Sequence, residues 1–104
     1  MSIVPRDKVP NRKEAQLIIK QLAAESKVAY TKHCKERMKE RDVTTPEIIN
    51  CLMKGSVTED PWLNHQNGGG YETTMEKNAA GRRLKVAVCI KFDESLLVIT
   101  VINR

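Results

Sequence analysis

One histidine and two arginines recur at intervals of four residues and could together act on a phosphate group. They are His33, Arg37 and Arg41, and in a helix they would lie one above another on a single face. A neutral imidazole can accept or donate a proton near pH 7. Arginines can hold a phosphate with paired hydrogen bonds and can stabilise charge that develops during the reaction. These three residues, here called the His–Arg stripe, would therefore suit RNA cleavage, in which a base activates the 2′-hydroxyl.

A purely structural role for the His–Arg stripe is the alternative. Its arginines could form ion pairs with acidic residues nearby in the sequence, namely Glu36, Glu40, Asp42 and Glu47. His33 would then cap or pack, and the stripe would order the turn between two helices. The sequence alone leaves both interpretations open.

A second set of polar residues is expected on the C-terminal strands. Alternation from residue 84 to residue 92 puts Leu84 and Val86 on one side of a strand. The opposite side carries three basic residues: Arg83, Lys85 and Lys91. Tyr71 opens the neighbouring strand and Thr100 lies in the last one. An open sheet face with these groups could bind and cleave a phosphodiester, although strand residues that face water are commonly of these types.

Composition favours a small protein with an anionic partner. The chain has 104 residues and a formal net charge of +5, which suits one domain and a partner such as RNA. Its three cysteines, an odd number without pairing or zinc-site spacing, indicate reduced thiols and no metal site. No apolar run approaches the length of a membrane span. We therefore expect a cytoplasmic protein without metal or other cofactor.

Periodicity predicts helices first and strands afterwards. Helical spacing occurs over about 11–26, 31–41 and 45–54, with Asn11, Thr31 and Thr44 as capping residues. After Gly55 the period changes to that of strands. The prediction is a single α+β domain over residues 11–104, preceded by a flexible lead-in over residues 1–10. Two to three N-terminal helices would pack on a three- to four-stranded antiparallel sheet.

The predicted core combines residues from the helices and from the last two strands. These residues are Ile18, Leu22, Ile48, Leu52, Val86, Val88, Val98 and Ile99. The last strand, residues 96–102, carries no charge, and we expect it to be central in the sheet and covered on both faces.

The helix that carries the His–Arg stripe also resembles a known motif. The stretch from His33 to Thr44, followed by Pro46-Glu47-Ile48 and Gly55, resembles small prokaryotic proteins of unassigned function. Their helix reads roughly His-Ala-x-x-Arg-Met-x-x-Arg-Gly-Ile-Ser. The ending Leu97 to Ile102 is similar to their last strand. That family is similar to the MqsR and BrnT groups of the RelE/ParE-like toxin superfamily.

The resemblance implies a function as well as a RelE-like fold. Members of that superfamily cleave mRNA without a metal ion and are neutralised by a partner antitoxin. It therefore implies a type II toxin-like endoribonuclease acting on mRNA, free or on the ribosome. The catalytic residues would be the His–Arg stripe with Lys85 and Tyr71, and the RNA-binding residues would be Arg83, Lys91 and Thr100. The alternative is a non-catalytic module that binds nucleic acid or protein through the same basic face.

Overall fold

The part of the chain that the structure describes folds into three α-helices and six β-strands. A computed structural model describes residues 3–79 and 81–103. The helices are α1 (Arg12–Ala24), α2 (Lys32–Glu40) and α3 (Thr45–Lys54). The strands are β1 (Val28–Tyr30), β2 (Ser56–Val57), β3 (Trp62–Asn64), β4 (Gly70–Ala79), β5 (Arg82–Lys91) and β6 (Leu96–Asn103). Within these described residues, no helix has both the length and the apolar character needed to cross a membrane.

The sheet differs from the prediction in strand number and in strand direction. Its six strands run in the order β1-β6-β5-β4-β2, with β3 also paired to β4. Strand β1 is parallel to β6, with Val28 opposite Leu96, whereas the other pairs are antiparallel. The predicted three- to four-stranded antiparallel sheet is therefore wrong. Strand β1 is only three residues long, too short for a period to show, and the chain around Pro61 separates β2 from β3.

The helix starts follow the predicted capping chemistry. Asn11 and Glu14 form a reciprocal capping box at α1, and Thr44 and Glu47 form another at α3. Thr31 caps α2 by accepting a hydrogen bond from a backbone N–H. Each of these side chains satisfies a backbone donor that the first helical turn would leave unpaired.

One hydrophobic core lies between the helices and the inner face of the sheet. All the predicted core residues are buried except Ile99, which is half-buried. The exception follows from a bulge, because Val98 lies opposite Val88 and Thr100 opposite Ala87, so that Ile99 has no partner in the register. The opposite side of β4, β5 and β6 is called the outer sheet face here. Strand β6 is central, but its outward residues are only half-buried, so it is not fully covered on both faces.

The segment before α1 contacts the far end of the sheet. Val4 is buried in the core, and the backbone N–H of Ile3 donates to Glu94 Oε1 at 3.0 Å. The guanidinium of Arg6 donates to the carbonyl of Phe92 at 3.2 Å and lies over its ring. The predicted lead-in over residues 1–10 is thus anchored from residue 3 onward, and residues 1 and 2 lie outside the described part.

Candidate phosphate-binding site

Helix α2 is fixed to the sheet through its N-terminus and its inner face. The backbone N–H of Thr31 donates to Val98 O at 3.1 Å, and its hydroxyl donates to Ile99 O at 2.8 Å. The same hydroxyl accepts from the N–H of Cys34 at 2.9 Å, and Cys34 is fully buried. These contacts determine which face of α2 turns towards the core and which face remains accessible.

The accessible face carries the first two residues of the His–Arg stripe in contact with each other. Arg37 Nε donates to His33 Nε2 at 3.4 Å, as the four-residue spacing predicted. Arg37 Nη1 also pairs with Glu40 Oε1 at 3.0 Å. His33 is exposed and Arg37 is half-buried. The Nε2 lone pair that accepts this bond is the imidazole's proton-accepting site when its proton is on Nδ1, and it lies beside a guanidinium.

The third stripe residue lies at the end of α2, where the chain turns. Arg41 is half-buried and is the C-cap residue of the helix. Asp42 follows with φ of 54°, the left-handed conformation that Asp tolerates better than most residues. The chain then enters the capping box of α3 directly. This turn therefore sets the direction in which the end of the stripe points.

A residue from the sheet, Arg82, ties this turn to β5. Its guanidinium forms an ion pair with Glu47 Oε2 and donates to the carbonyl of Asp42 at 3.4 Å. Backbone hydrogen bonding at Thr44, followed by the hydrogen bond from Arg82, lowers the pKa of Glu47. The structural alternative paired the stripe arginines with Glu36, Glu40, Asp42 or Glu47, and Arg37 does pair with Glu40. Arg82, which that alternative did not include, contacts both Asp42 and Glu47.

The basic strand residues lie on the outer sheet face, away from the core. Leu84 and Val86 are buried, and the alternating Arg83 and Lys85 point to the other side, as predicted. Arg83 Nε lies 3.7 Å from a carboxylate oxygen of Glu76, the residue directly opposite Lys85. The remaining candidates on this face, Lys91 and Thr100, are both half-buried. Carboxylates on β4 thus accompany the cations on β5.

Tyr71 lies in the core and does not join this set. Only 2% of its surface is exposed, and its hydroxyl donates to Lys8 O at 3.1 Å. Its ring meets that of Phe92 edge to face at 5.3 Å, and burial raises the pKa of its phenol. From the sequence, Tyr71 was expected on the same sheet face as Lys85. The structure puts the two on opposite faces, because Tyr71 pairs in register with the inward Ile90.

A protein-family model, described as a domain of unknown function (DUF4258), matches residues 30–103. The chain belongs to this family. The DUF4258 region runs from the end of β1 to β6, and it includes the His–Arg stripe and Arg82 but not α1. No curated protein and no solved structure matches the chain.

The cysteines of the DUF4258 region are buried thiols, of which Cys34 and Cys51 belong to the hydrophobic core. Cys34, Cys51 and Cys89 are all free and buried. Burial raises the pKa of Cys51 and of Cys89 to about 11, which keeps both thiols protonated near pH 7. Within residues 3–79 and 81–103, no group of three or more His, Cys, Asp or Glu side chains is arranged to hold a metal ion.

Proposed function

We propose that this DUF4258 domain is a toxin-like endoribonuclease that cleaves mRNA without a metal ion. The observation that carries the proposal is the contact between His33 Nε2 and Arg37 Nε at 3.4 Å on the accessible face of α2. It puts a proton acceptor beside a phosphate-binding cation, the two groups that cleavage at a 2′-hydroxyl needs. The proposed partner is a cognate antitoxin of a type II pair.

The chemistry follows from the two side chains. His33 Nε2 accepts the proton of the 2′-hydroxyl, and the 2′-oxygen attacks the adjacent phosphorus. The bond from phosphorus to the 5′-oxygen breaks, the leaving oxygen takes a proton from water, and the resulting hydroxide takes the proton back from His33. The products are a 2′,3′-cyclic phosphate and a 5′-hydroxyl. Arg37 turns from the imidazole to a non-bridging oxygen, and Arg41 supports the same charge one helical turn further on.

The outer sheet face has a separate role in this proposal. Lys85, Arg83, Lys91 and Thr100 would hold the RNA strand and would not act at the scissile phosphate. Their face is opposite to the core, whereas α2 packs on the core side. Tyr71 is left out of the proposed mechanism, since its hydroxyl is buried and bonded to Lys8 O.

A non-catalytic binding module is the second candidate. The pairing of Arg37 with Glu40, and of Arg83 with Glu76, favours it because each carboxylate offsets part of the positive charge. Such a module would bind nucleic acid or protein through the same basic residues. It would tolerate replacement of His33, since binding needs cations but no proton transfer.

Cleavage by stripe variants separates the two candidates. Purified protein is incubated with labelled single-stranded RNA in excess EDTA, and the products are tested for a 2′,3′-cyclic phosphate. We expect His33→Ala and Arg37→Ala each to lower the rate by about a hundredfold or more. Expression of the wild type in a bacterial host should arrest growth, and these variants should not.

Two lysines of the same helix provide the matched control. Lys35 and Lys39 are exposed residues of α2 outside the stripe, and replacing either with alanine removes one positive charge. Rates of Lys35→Ala and Lys39→Ala should stay within about threefold of the wild type, as for surface changes outside the reacting groups. Equal losses in control and stripe variants would mean that bulk charge matters. Full activity in His33→Ala would remove His33 from the mechanism.

Salt dependence tests whether the ligand is a polyanion. If cations of α2 and β5 contact RNA phosphates, counterions are released and affinity falls as salt is added. About three such contacts on a single strand would lower affinity roughly twentyfold between 50 mM and 200 mM salt. Filter binding or fluorescence anisotropy would measure this slope. Affinity that does not change over this range would argue against phosphate binding.

A further inference from the structure

An exposed tryptophan lies on the outer sheet face beside a carboxylate. Trp62, on the short strand β3, is 51% exposed and lies directly opposite Glu72 of β4. Directly opposed residues of an antiparallel pair point to the same face. Because Tyr71 points into the core, its neighbour Glu72 and the indole of Trp62 both belong to the outer face. An indole that is half in water, next to a charge, is an unusual use of the only tryptophan in the chain.

The carboxylate beside Trp62 is held in place by its neighbours. Asn64 Nδ2 donates to Glu72 Oε2, and Asn64 Oδ1 accepts from the N–H of Gln66 at 2.9 Å. Asn64 is thus fixed at both ends of its amide. A carboxylate has about four acceptor positions, so Glu72 can accept further hydrogen bonds from a ligand.

The adjacent row of the sheet ends in a cation. Asn64, Gly70 and Lys91 lie in register across β3, β4 and β5. Gly70 is buried, and a Cβ there would lie 2.4 Å from Ile90 O and 2.9 Å from Cys89 Sγ, so that only glycine fits between these atoms. The register therefore places Asn64 and the ammonium-bearing side chain of Lys91 on the two strands that flank Gly70.

We propose that Trp62, Glu72 and Lys91 bind a guanosine nucleotide of single-stranded RNA. The indole offers a flat surface on which a base can stack. The Glu72 carboxylate matches the parallel N1–H and N2–H donors of guanine, while the ammonium group of Lys91 suits the phosphate. The other bases do not offer this pair of donors to a carboxylate. Adenine and cytosine place an acceptor beside their amino group, and uracil has a single N–H between two carbonyls. The inference rests on the proposed function in that it takes the ligand to be RNA.

Charge favours a nucleotide over a protein at this site. A ligand that stacks on Trp62 lies near an anion, Glu72, two residues along the strand from Gly70, and near a cation, Lys91, opposite Gly70. A guanosine monophosphate carries two donors at one end and an anionic phosphate at the other, which matches Glu72 and Lys91. A protein partner is the competing occupant of this site, and the RNA affinity of a Trp62 variant distinguishes it from a nucleotide.

The single tryptophan provides the readout. Stacking of a base on Trp62 should quench its fluorescence, so the protein is titrated with the 5′-monophosphates of guanosine, adenosine, cytidine and uridine. We expect guanosine monophosphate to bind about tenfold or more tightly than the other three, as expected for a paired contact to a base edge. Glu72→Gln should abolish this preference. The matched control is Glu76→Gln, which changes the outer-face glutamate beside Arg83 and should retain it.

Variants of Trp62 test whether a base stacks on the indole, and calorimetry measures their affinity for RNA. Trp62→Ala should weaken binding of a short single-stranded RNA with one guanosine by about tenfold, whereas Trp62→Phe keeps a stacking ring and should retain the guanine preference. Equal affinity for the four monophosphates would overturn the guanine assignment. Unchanged RNA affinity in Trp62→Ala would also overturn the proposal and leave the patch to a protein partner.

The two proposals fail in different ways. Guanosine monophosphate binding with the expected preference, but without RNA cleavage, would support the nucleotide site and contradict the endoribonuclease. Cleavage that depends on His33 but shows no guanine preference would do the reverse.

Discussion

The two halves of the stretch from residue 32 to residue 47 use their charges differently. In the first half, Arg37 contacts His33 and Glu40, both within its own helix. In the second half, Glu47 contacts Arg82, 35 residues away on β5. Both halves look alike as sequence, because each mixes basic and acidic residues at helical spacing. The difference lies in whether the partner comes from the same turn or from another layer of the fold.

That difference separates residues that hold the fold from residues that are available for function. An exposed pair three residues apart on a helix contributes a few tenths of a kcal/mol, so its loss costs little stability. A contact that joins α3 to the sheet restricts two elements and is less easily replaced. The local group, His33 and Arg37, can therefore turn towards a ligand without loosening the fold.

Replacing Glu47 and Glu40, one at a time, should show the largest difference in stability between the two halves of this stretch. Glu47 Oε1 accepts from the backbone N–H of Thr44 at 2.9 Å, and Oε2 pairs with Arg82. Glu47→Ala removes both contacts, and we expect the free energy of unfolding to fall by about 1.5 kcal/mol after allowance for exposure to solvent. Glu40→Ala, which removes only the pair with Arg37, should cost less than about 0.5 kcal/mol. Urea unfolding at neutral pH measures both.

A loss in Glu40→Ala as large as that in Glu47→Ala would end this comparison. It would mean that the local pair of α2 also supports the fold. The His–Arg stripe would then need a structural explanation, and the activity losses of its variants would have to be corrected for unfolding.

Tyr71→Phe should lower stability without lowering activity, because Tyr71 is buried whereas the His–Arg stripe is accessible. It removes the hydroxyl that donates to Lys8 O, and we expect a loss of about 1 kcal/mol in stability. RNA cleavage should remain at the wild-type rate, because the hydroxyl lies in the core. A hundredfold slower reaction in a stably folded Tyr71→Phe would return Tyr71 to the mechanism.

Local signals in the sequence predicted the helix ends well. Capping boxes, a hydroxyl at an N-cap and an αL residue after a helix act over three or four residues, so Asn11, Thr44 and Asp42 could be placed from the sequence. Gly55 was also placed at the end of α3, where a Cβ would lie 2.5 Å from Cys51 O. That requirement comes from a close approach and not from a positive φ.

Features that depend on distant contacts were missed. Strand β1 is defined by its parallel pairing with β6, and no pattern within Val28–Tyr30 reveals it. Arg82 and Trp62 owe their positions to the register of β4 with its neighbours. Tyr71 was placed on the wrong face because the face of its strand was not fixed by any flanking period. Residues at even spacing in a strand face the same side. Tyr71 lies four residues from the buried Met75, so it shares the inner face with Met75.

The smallest expected effect is on acid stability, and it concerns the same junction. The pKa of Glu47 is lowered in the folded chain, chiefly by hydrogen bonding from the backbone at Thr44 and then from Arg82, below its ordinary value of 4.5. The unfolded chain therefore binds more protons around and below pH 4.5, so the stabilisation is present above that pH and is lost as pH falls through the folded pKa. Glu47→Gln should be less stable at pH 7, but its stability should fall less steeply between pH 5 and pH 3. The pKa of Asp93 is also lowered, by hydrogen bonds from Ser95, so part of the acid dependence should remain in that variant. Urea midpoints measured at several pH values would test this. Curves for Glu47→Gln and the wild type that stay parallel down to pH 3 would show that the junction draws no stability from the charge of Glu47.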